Sequence, residues 1–444
     1  MTQQNNVRYH VVRLLTNFDH SRKRLSLLAT RYLNRVPEID HPEEITFLVQ
    51  EITRWRGYLD SVIGHSYRGH FSKSEYLLKN ILRLAAYEMI FRNQVPVYAV
   101  VNEAVNLTRK MVNERAAGLT NAVLRKVAGR GYSKPGVVVK SDSPAQIAVA
   151  TSHPQWLIER WLRHYGYDET INLCQWNNKV PVFTVWMNSA RVDRVRWEKK
   201  LEVLGIKWSR STVLRDIYHV DSISTILRSD VFQQGWFIVQ DTAAALITEL
   251  ATHNPRERIL DVCCAPGGKM AVLAVRLGED VQIIASDRDE VRLQQVRNTL
   301  ERLRITNVTV QRKDATKDDF SESDLILIDA PCTGTGVMSK RADLRWRRSN
   351  ENIQEMQSLQ LEILRHMANF LAVNGQIIYS TCSLEPEENW GVVDILLKER
   401  DDLKVVPVEK ITLRTFLDDR GAISTFPPRH NMDGTFGVVL RKTV

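Results

Sequence analysis

Two cysteines set the chemical question. Cys332 stands in DAPCTGTG (from Asp329), Cys382 stands in STCSLEPEEN (from Ser380), and a third segment, DVCCAPGGKM, begins at Asp261. A cysteine thiolate can add to an electron-poor pyrimidine ring and make the adjacent ring carbon nucleophilic. A second group must then remove a proton and release the enzyme, and two cysteines with the carboxylate of Asp329 suit that two-stage task. Asp261, Asp287, Asp314 and Asp329 each close or follow a short apolar run. One strand-end Asp on its own caps a helix. An ordered set along one edge asks for a cationic, nucleoside-bearing ligand, because carboxylates would repel a phosphate-rich one. S-adenosylmethionine has that charge and a ribose, and Asp287 lies where related folds place a ribose-binding acid.

In CAPGGK, Gly267 and Gly268 permit φ > 0 and close backbone approach to a ligand, and a helix N-terminus behind them favours an electronegative group. The run is not GxGxxG, so the dinucleotide fingerprint is missing. No CxxC occurs and no His clusters nearby, so no metal is expected.

The elements that must position these residues alternate regularly. The apolar runs RIL, QIIAS, NVTVQRK, DLILI and GQIIY read as strands. KMAVLAVRLG, EVRLQQVRNTLERL and EMQSLQLEILRHMANFLA read as helices between them. This predicts an α/β domain around a parallel sheet, with ligands at the carboxyl ends of its strands. A right-handed crossover through Glu355 to Ala372 makes the fourth and fifth strands neighbours, about 4.8 Å apart, and brings both thiols to one edge. Nothing in the residues themselves ranks the two cysteines.

The chain before this domain is different. Residues 7 to about 130 read as entirely helical, with Val11, Leu14, Leu15 and Phe18, and then Leu77, Leu78, Ile81, Leu82, Leu84, Ala85 and Met89, at helical spacing. Pro96 and Gly118 mark expected breaks. Residues 1–130 hold 20 Lys and Arg against 11 Asp and Glu, which accounts for the whole +9 net charge and points to a polyanionic partner. Residues 131 to about 150 read as a linker, and Ser152 and Pro154 as a helix start. A small mixed module follows, with VPVFTVWMN and TVLRDIYHV as strands and RVRWEKKLEVLG as a helix. Its Trp176, Trp186, Trp197 and Trp208 suit either base stacking or, more commonly, a core. QDTAAALITEL reads as a helix ahead of the first core strand. After Thr335, Lys340, Arg341, Arg345, Arg347 and Arg348 surround Trp346, which predicts a clamp for phosphates and a base. The expected division is 1–135, helical; 136–230, linker and small α+β module; 231–444, catalytic. No run of about 18 apolar residues and no signal-peptide pattern occur, and the five cysteines lack framework spacing. These features predict a cytoplasmic protein with reduced thiols, no membrane contact and no obligate protein partner.

Two resemblances sharpen these expectations. NILRLAAYEMIFRNQVPVYAVVNEAV (from Asn80) and GLTNAVLRKV (from Gly118) resemble the helical RNA-binding fold of the NusB antitermination factor. CAPGGK, DAPCTGTG and STCSLEPEEN, in that order, resemble the RNA 5-methylcytosine methyltransferases, and the chain looks like those members that act on small-subunit (16S) ribosomal RNA. The likeness covers essentially the whole chain. It implies a Rossmann-like methyltransferase domain in which Cys263, Cys264, Ala265, Pro266, Gly267, Gly268 and Lys269 form the S-adenosylmethionine loop. Asp287 is similar to the family's ribose acid, Asp314 to its adenine-side acid, and Asp329 to the acid near the methyl donor and the cytosine. Cys382, in Thr-Cys, matches the nucleophile that attacks carbon 6, and Cys332, in Pro-Cys, the cysteine that assists elimination. DNA cytosine methyltransferases use a Pro-Cys nucleophile, so only the Thr-Cys pattern decides this ranking. The sequence departs from the family at Cys264, usually Ala, at Met270, often Thr, and in VWMN near Trp186, which replaces an Arg. The implied activity is methyl transfer to carbon 5 of a cytidine in ribosomal RNA. The alternatives are another RNA such as transfer RNA, or a non-catalytic RNA-binding factor.

Overall fold

A computed structural model describes residues 6–443 apart from 22, 37–38, 93, 137–142, 252–257 and 409. The middle of the expected linker, 137–142, thus lies outside the described residues. Contacts divide the chain into two units. One holds residues 1–179 with 338–348, and the other holds 180–337 with 349–444.

The first unit is helical. The helices Val7–Asp19, Pro42–Arg54, Tyr76–Phe91, Val97–Met111 and Glu114–Gly129 bury Val11, Leu14, Phe18, Ile45, Leu48, Ile81, Leu82, Ala85, Val100, Val123 and Leu124 in one core. Pro96 caps the helix that begins at Val97, as the break signal predicted. Gly118 does not break its helix. It lies within Glu114–Gly129, which Asn113 caps and which buries Ala117, Thr120, Val123, Leu124 and Val127. That packing outweighs the roughly 1 kcal/mol that an internal glycine costs relative to alanine. Part of the expected linker is also structured. Pro144–Thr151 is a helix opened by a Ser143–Gln146 capping box, and Gln155–Asn178 follows with a kink at Gly166.

The basic run is the main correction to the sequence reading. Residues 338–348 pack inside this helical unit. Arg345 is fully buried, its guanidinium donating to the carbonyls of Arg54, Ser152 and Asn177 and to Asn178 Oδ1. Trp346 Nε1 donates to Thr53 O at 2.6 Å, and its ring lies so close to Gly57 that a Cβ there would be 2.7 Å away. Arg347 covers the Phe18 ring and donates to Ser21 O. Groups with this many internal acceptors are not a free clamp for phosphate. They bind this segment to the helices.

The second unit contains two sheets. The smaller is antiparallel, with β1 (Phe183–Met187), β2 (Trp208–Arg210), β3 (Ile217–Val220) and β4 (Phe237–Val239) in the order β2-β3-β1-β4. β4 lies past residue 230, the edge expected from the sequence. Trp186 and Trp197 are fully buried core residues, and Trp176 and Trp208 are half-buried. The larger sheet comprises β5 (Arg258–Val262), β6 (Gln282–Asp287), β7 (Val308–Arg312), β8 (Ser323–Asp329), β9 (Leu371–Thr381), β10 (Leu403–Val405), β11 (Ile423–Thr425) and β12 (Thr435–Lys442). Its order is β10-β12-β9-β8-β5-β6-β7, with β11 on β12. β5 to β9 are parallel as expected, and β10 to β12 add an antiparallel flank that the sequence reading did not contain. Alternate residues of each strand feed opposite faces. Ile259, Leu325 and Leu327 pack with the helices Thr242–Leu250, Gly268–Leu277 and Glu290–Leu303; Leu260, Ile326 and Ile328 pack with Asn350–Met367 and Trp390–Glu399. Among the described residues no helix is long and apolar enough to cross a membrane.

Candidate active site

β8 and β9 lie side by side with Asp329 opposite Ser380. Just past those residues the chain carries Cys332 and Cys382, and their sulfurs are 3.1 Å apart. Both are free thiols and both are half-buried. The short contact splits their ionisation. The hydrogen bond from Cys332 holds Cys382 below its ordinary value, with help from the Lys269 ammonium and against burial and the charges of Asp329 and Glu388. The same bond, with burial, pushes Cys332 well up. Both shifts favour the thiolate at Cys382 over one at Cys332.

Lys269 enters from the helix Gly268–Leu277. Its Nζ lies 2.6 Å from Asp329 Oδ2, and Ser380 Oγ donates to Asp329 Oδ1 at 3.0 Å. Burial opposes the Lys269 charge, but the Asp329 carboxylate overcomes it and raises the ammonium's pKa. The structure thus brings together Cys332, Cys382, Asp329 and Lys269.

The other expected residues form the adjoining edge. Gly267 has φ 95°, a conformation open to glycine, and Gly268 opens the helix. A Cβ added at Gly268 would meet nothing within 4 Å, so the backbone there is open to a close ligand. Cys264 passes its N–H to Ser286 O and accepts from Gly267 N, while its thiol and the Met270 side chain are buried in the core. Burial first, then Asp287 and Asp261, pushes Cys263 up to about 12; burial and the same carboxylates also push Cys264 up. Ala265 is buried and Pro266 exposed. Asp287 accepts from Asp289 N at 3.0 Å and faces Arg292 Nη1 at 3.0 Å. Asp314 stands just beyond β7, where Thr316 N and Oγ1 donate to it. Burial opposes its charge, but those bonds lower its pKa overall. Its neighbour Lys313 passes its N–H to Asp287 O. Asp261, in β5, is sealed, and burial with the Asp329 and Asp287 charges pushes its carboxyl well up.

Asp261 Oδ1 and Ser286 Oγ are buried without a hydrogen-bond partner among the described residues. The open backbone at Gly268 and the half-buried carboxylate of Asp314 fit a ligand that brings hydroxyl or amine donors and a positive centre, which S-adenosylmethionine does. Among the described residues no group of three or more His, Cys, Asp or Glu is placed to hold a metal ion.

Two residues escaped the sequence reading. Arg292 bridges Asp287 and the Ala265 carbonyl, tying the second strand's acid to the glycine loop. Its signal was weak: one arginine among several on a charged helix. Glu388 was hidden among Glu385 and Glu387 in its motif, and only its fully buried position separates it from Glu387.

Residues 247–441 match the sequence model of the family described as 16S rRNA methyltransferase RsmB/F, residues 5–129 that of the NusB family, and residues 153–224 that of the ferredoxin-like domain of RsmF/B-like methyltransferases. Over 347 residues the chain is 30% identical to the ribosomal RNA small subunit methyltransferase B of Pseudomonas putida, covering 78% of each chain. The chain belongs to the RsmB/F family of 16S rRNA methyltransferases. Its likeness to another protein, the probable ribosomal RNA small subunit methyltransferase B of Synechocystis, is 29% over 404 residues, 89% of this chain and 90% of that one. The crystal structure of PH0851 matches 98% of each chain with a TM-score of 0.83 at 24% identity, which supports the fold. The departures from the RsmB/F pattern at Cys264, Met270 and VWMN all fall on buried side chains, Trp186 and Met187 included.

Proposed function

We propose that this chain transfers a methyl group from S-adenosylmethionine to carbon 5 of a cytidine in small-subunit ribosomal RNA, through a transient bond between Cys382 and carbon 6. The observation that carries this reading is the 3.1 Å contact of two sulfurs beside the Lys269–Asp329 pair. The target base leaves its stack to reach the thiols. The Cys382 thiolate adds to carbon 6, and carbon 5 gains the electron density it needs to attack an electrophile. Asp329, held by Lys269 and Ser380, is the acid at the ring edge. S-adenosylmethionine, held by the loop Cys263–Lys269 with Asp287 and Asp314, supplies the methyl as a sulfonium electrophile. Elimination then sends the carbon 5 proton to a base and the carbon 6–sulfur electron pair back to Cys382. The Cys332 S–H, placed to donate to that sulfur, stabilises the departing thiolate.

The test is to incubate the protein with small-subunit ribosomal RNA and methyl-labelled S-adenosylmethionine, then separate the nucleosides. Label in 5-methylcytidine is expected. Label in another nucleoside, or none, would overturn the assignment.

A further inference from the structure

Glu388 ends the short turn Pro386–Glu388 and is fully buried. One carboxylate oxygen, Oε2, accepts from Thr333 N at 2.8 Å and Gln360 Nε2 at 3.0 Å; the other, Oε1, accepts from Ser383 Oγ at 2.6 Å and from the Thr333 hydroxyl. Gln360 Nε2 also donates to Pro331 O at 2.8 Å. Pro331 and Thr333 flank Cys332, and Ser383 follows Cys382. One carboxylate therefore grips both cysteine loops, which lie 50 residues apart in the chain. Burying a charge costs several kcal/mol, and an apolar side chain would fill this space without that cost. Three donors from the two loops and a fourth from the helix Asn350–Met367, all aimed at one carboxylate, indicate a purpose beyond filling.

We propose that Glu388 is the positioning residue of the cysteine pair: by tying Thr333 to Ser383 it holds the two sulfurs close enough for Cys332 to donate to Cys382. A displacement of about 1 Å can cost on the order of a hundredfold in rate, and here it would break the S–H···S contact that favours the thiolate. This rests on the proposed role of Cys382, but it can be read without RNA or methyl transfer.

The experiment measures the pH dependence of Cys382 alkylation by iodoacetamide, with Cys382 resolved from the other thiols by peptide mass spectrometry, in the full chain and in Glu388→Gln. The amide places a donor against donors and should loosen the clasp. The midpoint is expected to rise by about one pH unit, with about tenfold slower alkylation at pH 7, because one unit is tenfold in thiolate fraction. S-adenosylmethionine binding, read by calorimetry, should stay unchanged. The sign discriminates. If Glu388 acted only through its charge, its removal would relieve repulsion and move the midpoint down, which would overturn the proposal. An unmoved midpoint with a lowered melting temperature would also overturn it, as the mark of a merely structural residue. Should Glu388→Gln not fold, Ser383→Ala opens one arm of the same clasp. Its midpoint should rise, Ser383→Thr should restore it, and no shift in Ser383→Ala would refute the claim. Shifted midpoints in a protein that makes no 5-methylcytidine would leave the clasp standing and the proposed reaction fallen.

Discussion

A half-buried thiol near Asp329 and Glu388 should resist ionisation, yet Cys382 is pulled the other way by one S–H donor and one ammonium. That balance is open to test at Lys269. Thiolate is the reactive form, so alkylation or methylation should rise with pH through the Cys382 pKa, which the Cys332 bond holds below the thiol's ordinary value. Lys269→Met removes a cation that favours the thiolate. The rising limb should move to higher pH, with about a tenfold loss near pH 7 for each pH unit that the limb moves. A limb that stays in place would remove Lys269 from the ionisation of Cys382. At this scale the cysteines, Asp329 and the glycine loop were legible because their types and strand-end spacing are unusual. Glu388 and Arg292 were not, since a carboxylate or guanidinium announces its role only through what surrounds it.

The elements follow the same division. Strand and helix periods alternate clearly from Ile259 to Thr381, so the parallel sheet was readable. β12 was not, although it supplies the antiparallel neighbour of β9. It is buried on both faces, so it lacks alternation, and it contains Gly437, where a Cβ would lie 2.3 Å from Ile247 Cδ1. A second glycine approach shapes the site itself. Gly336 follows the Cys332 loop, and its N–H donates to Cys382 O. Gly434 N in turn donates to Gly336 O at 2.8 Å. A Cβ at Gly336 would sit 2.4 Å from Gly434 O, which is backbone and cannot swing away. Gly336→Ala should therefore destabilise the second unit by about 1–3 kcal/mol, read as a lower midpoint in denaturant unfolding. An unchanged midpoint would mean that the two loops are not held this closely.

Over the whole molecule, the sequence showed where charge accumulates but not how it is used. Several of the N-terminal basic residues are paired with acids of the same helical unit. Arg83 meets Asp60, Arg56 meets Asp19, Arg8 meets Glu88, and Arg54 meets Glu51. Lys110, Arg115, Arg125 and Lys126 remain exposed. The run 340–348 read as an RNA clamp because Arg and Trp around a catalytic loop suit nucleic acid equally well; burial, which sequence does not display, decides otherwise for Arg345. Its replacement separates the two roles. Arg345→Ala removes a donor from the Ser152 carbonyl and from Asn178 Oδ1, while Arg54 O keeps Ser152 Oγ and Asn177 O keeps Arg54 Nη1, and should cost about 1–3 kcal/mol of stability. The salt dependence of RNA binding should keep its slope, whereas loss of a phosphate contact would reduce it by about 0.7–0.9. A stable variant with a shallower slope would restore the clamp.

The proposed catalysis turns on which sulfur bonds to the base. The direct measurement is denaturing electrophoresis of the protein after incubation with small-subunit ribosomal RNA and S-adenosylmethionine. Cys332→Ala should accumulate a covalent RNA–protein band, because addition proceeds and release is slowed. Cys382→Ala should give no band and no methylation while still binding S-adenosylmethionine. A band from Cys382→Ala, with none from Cys332→Ala, would contradict the assignment and exchange the two roles.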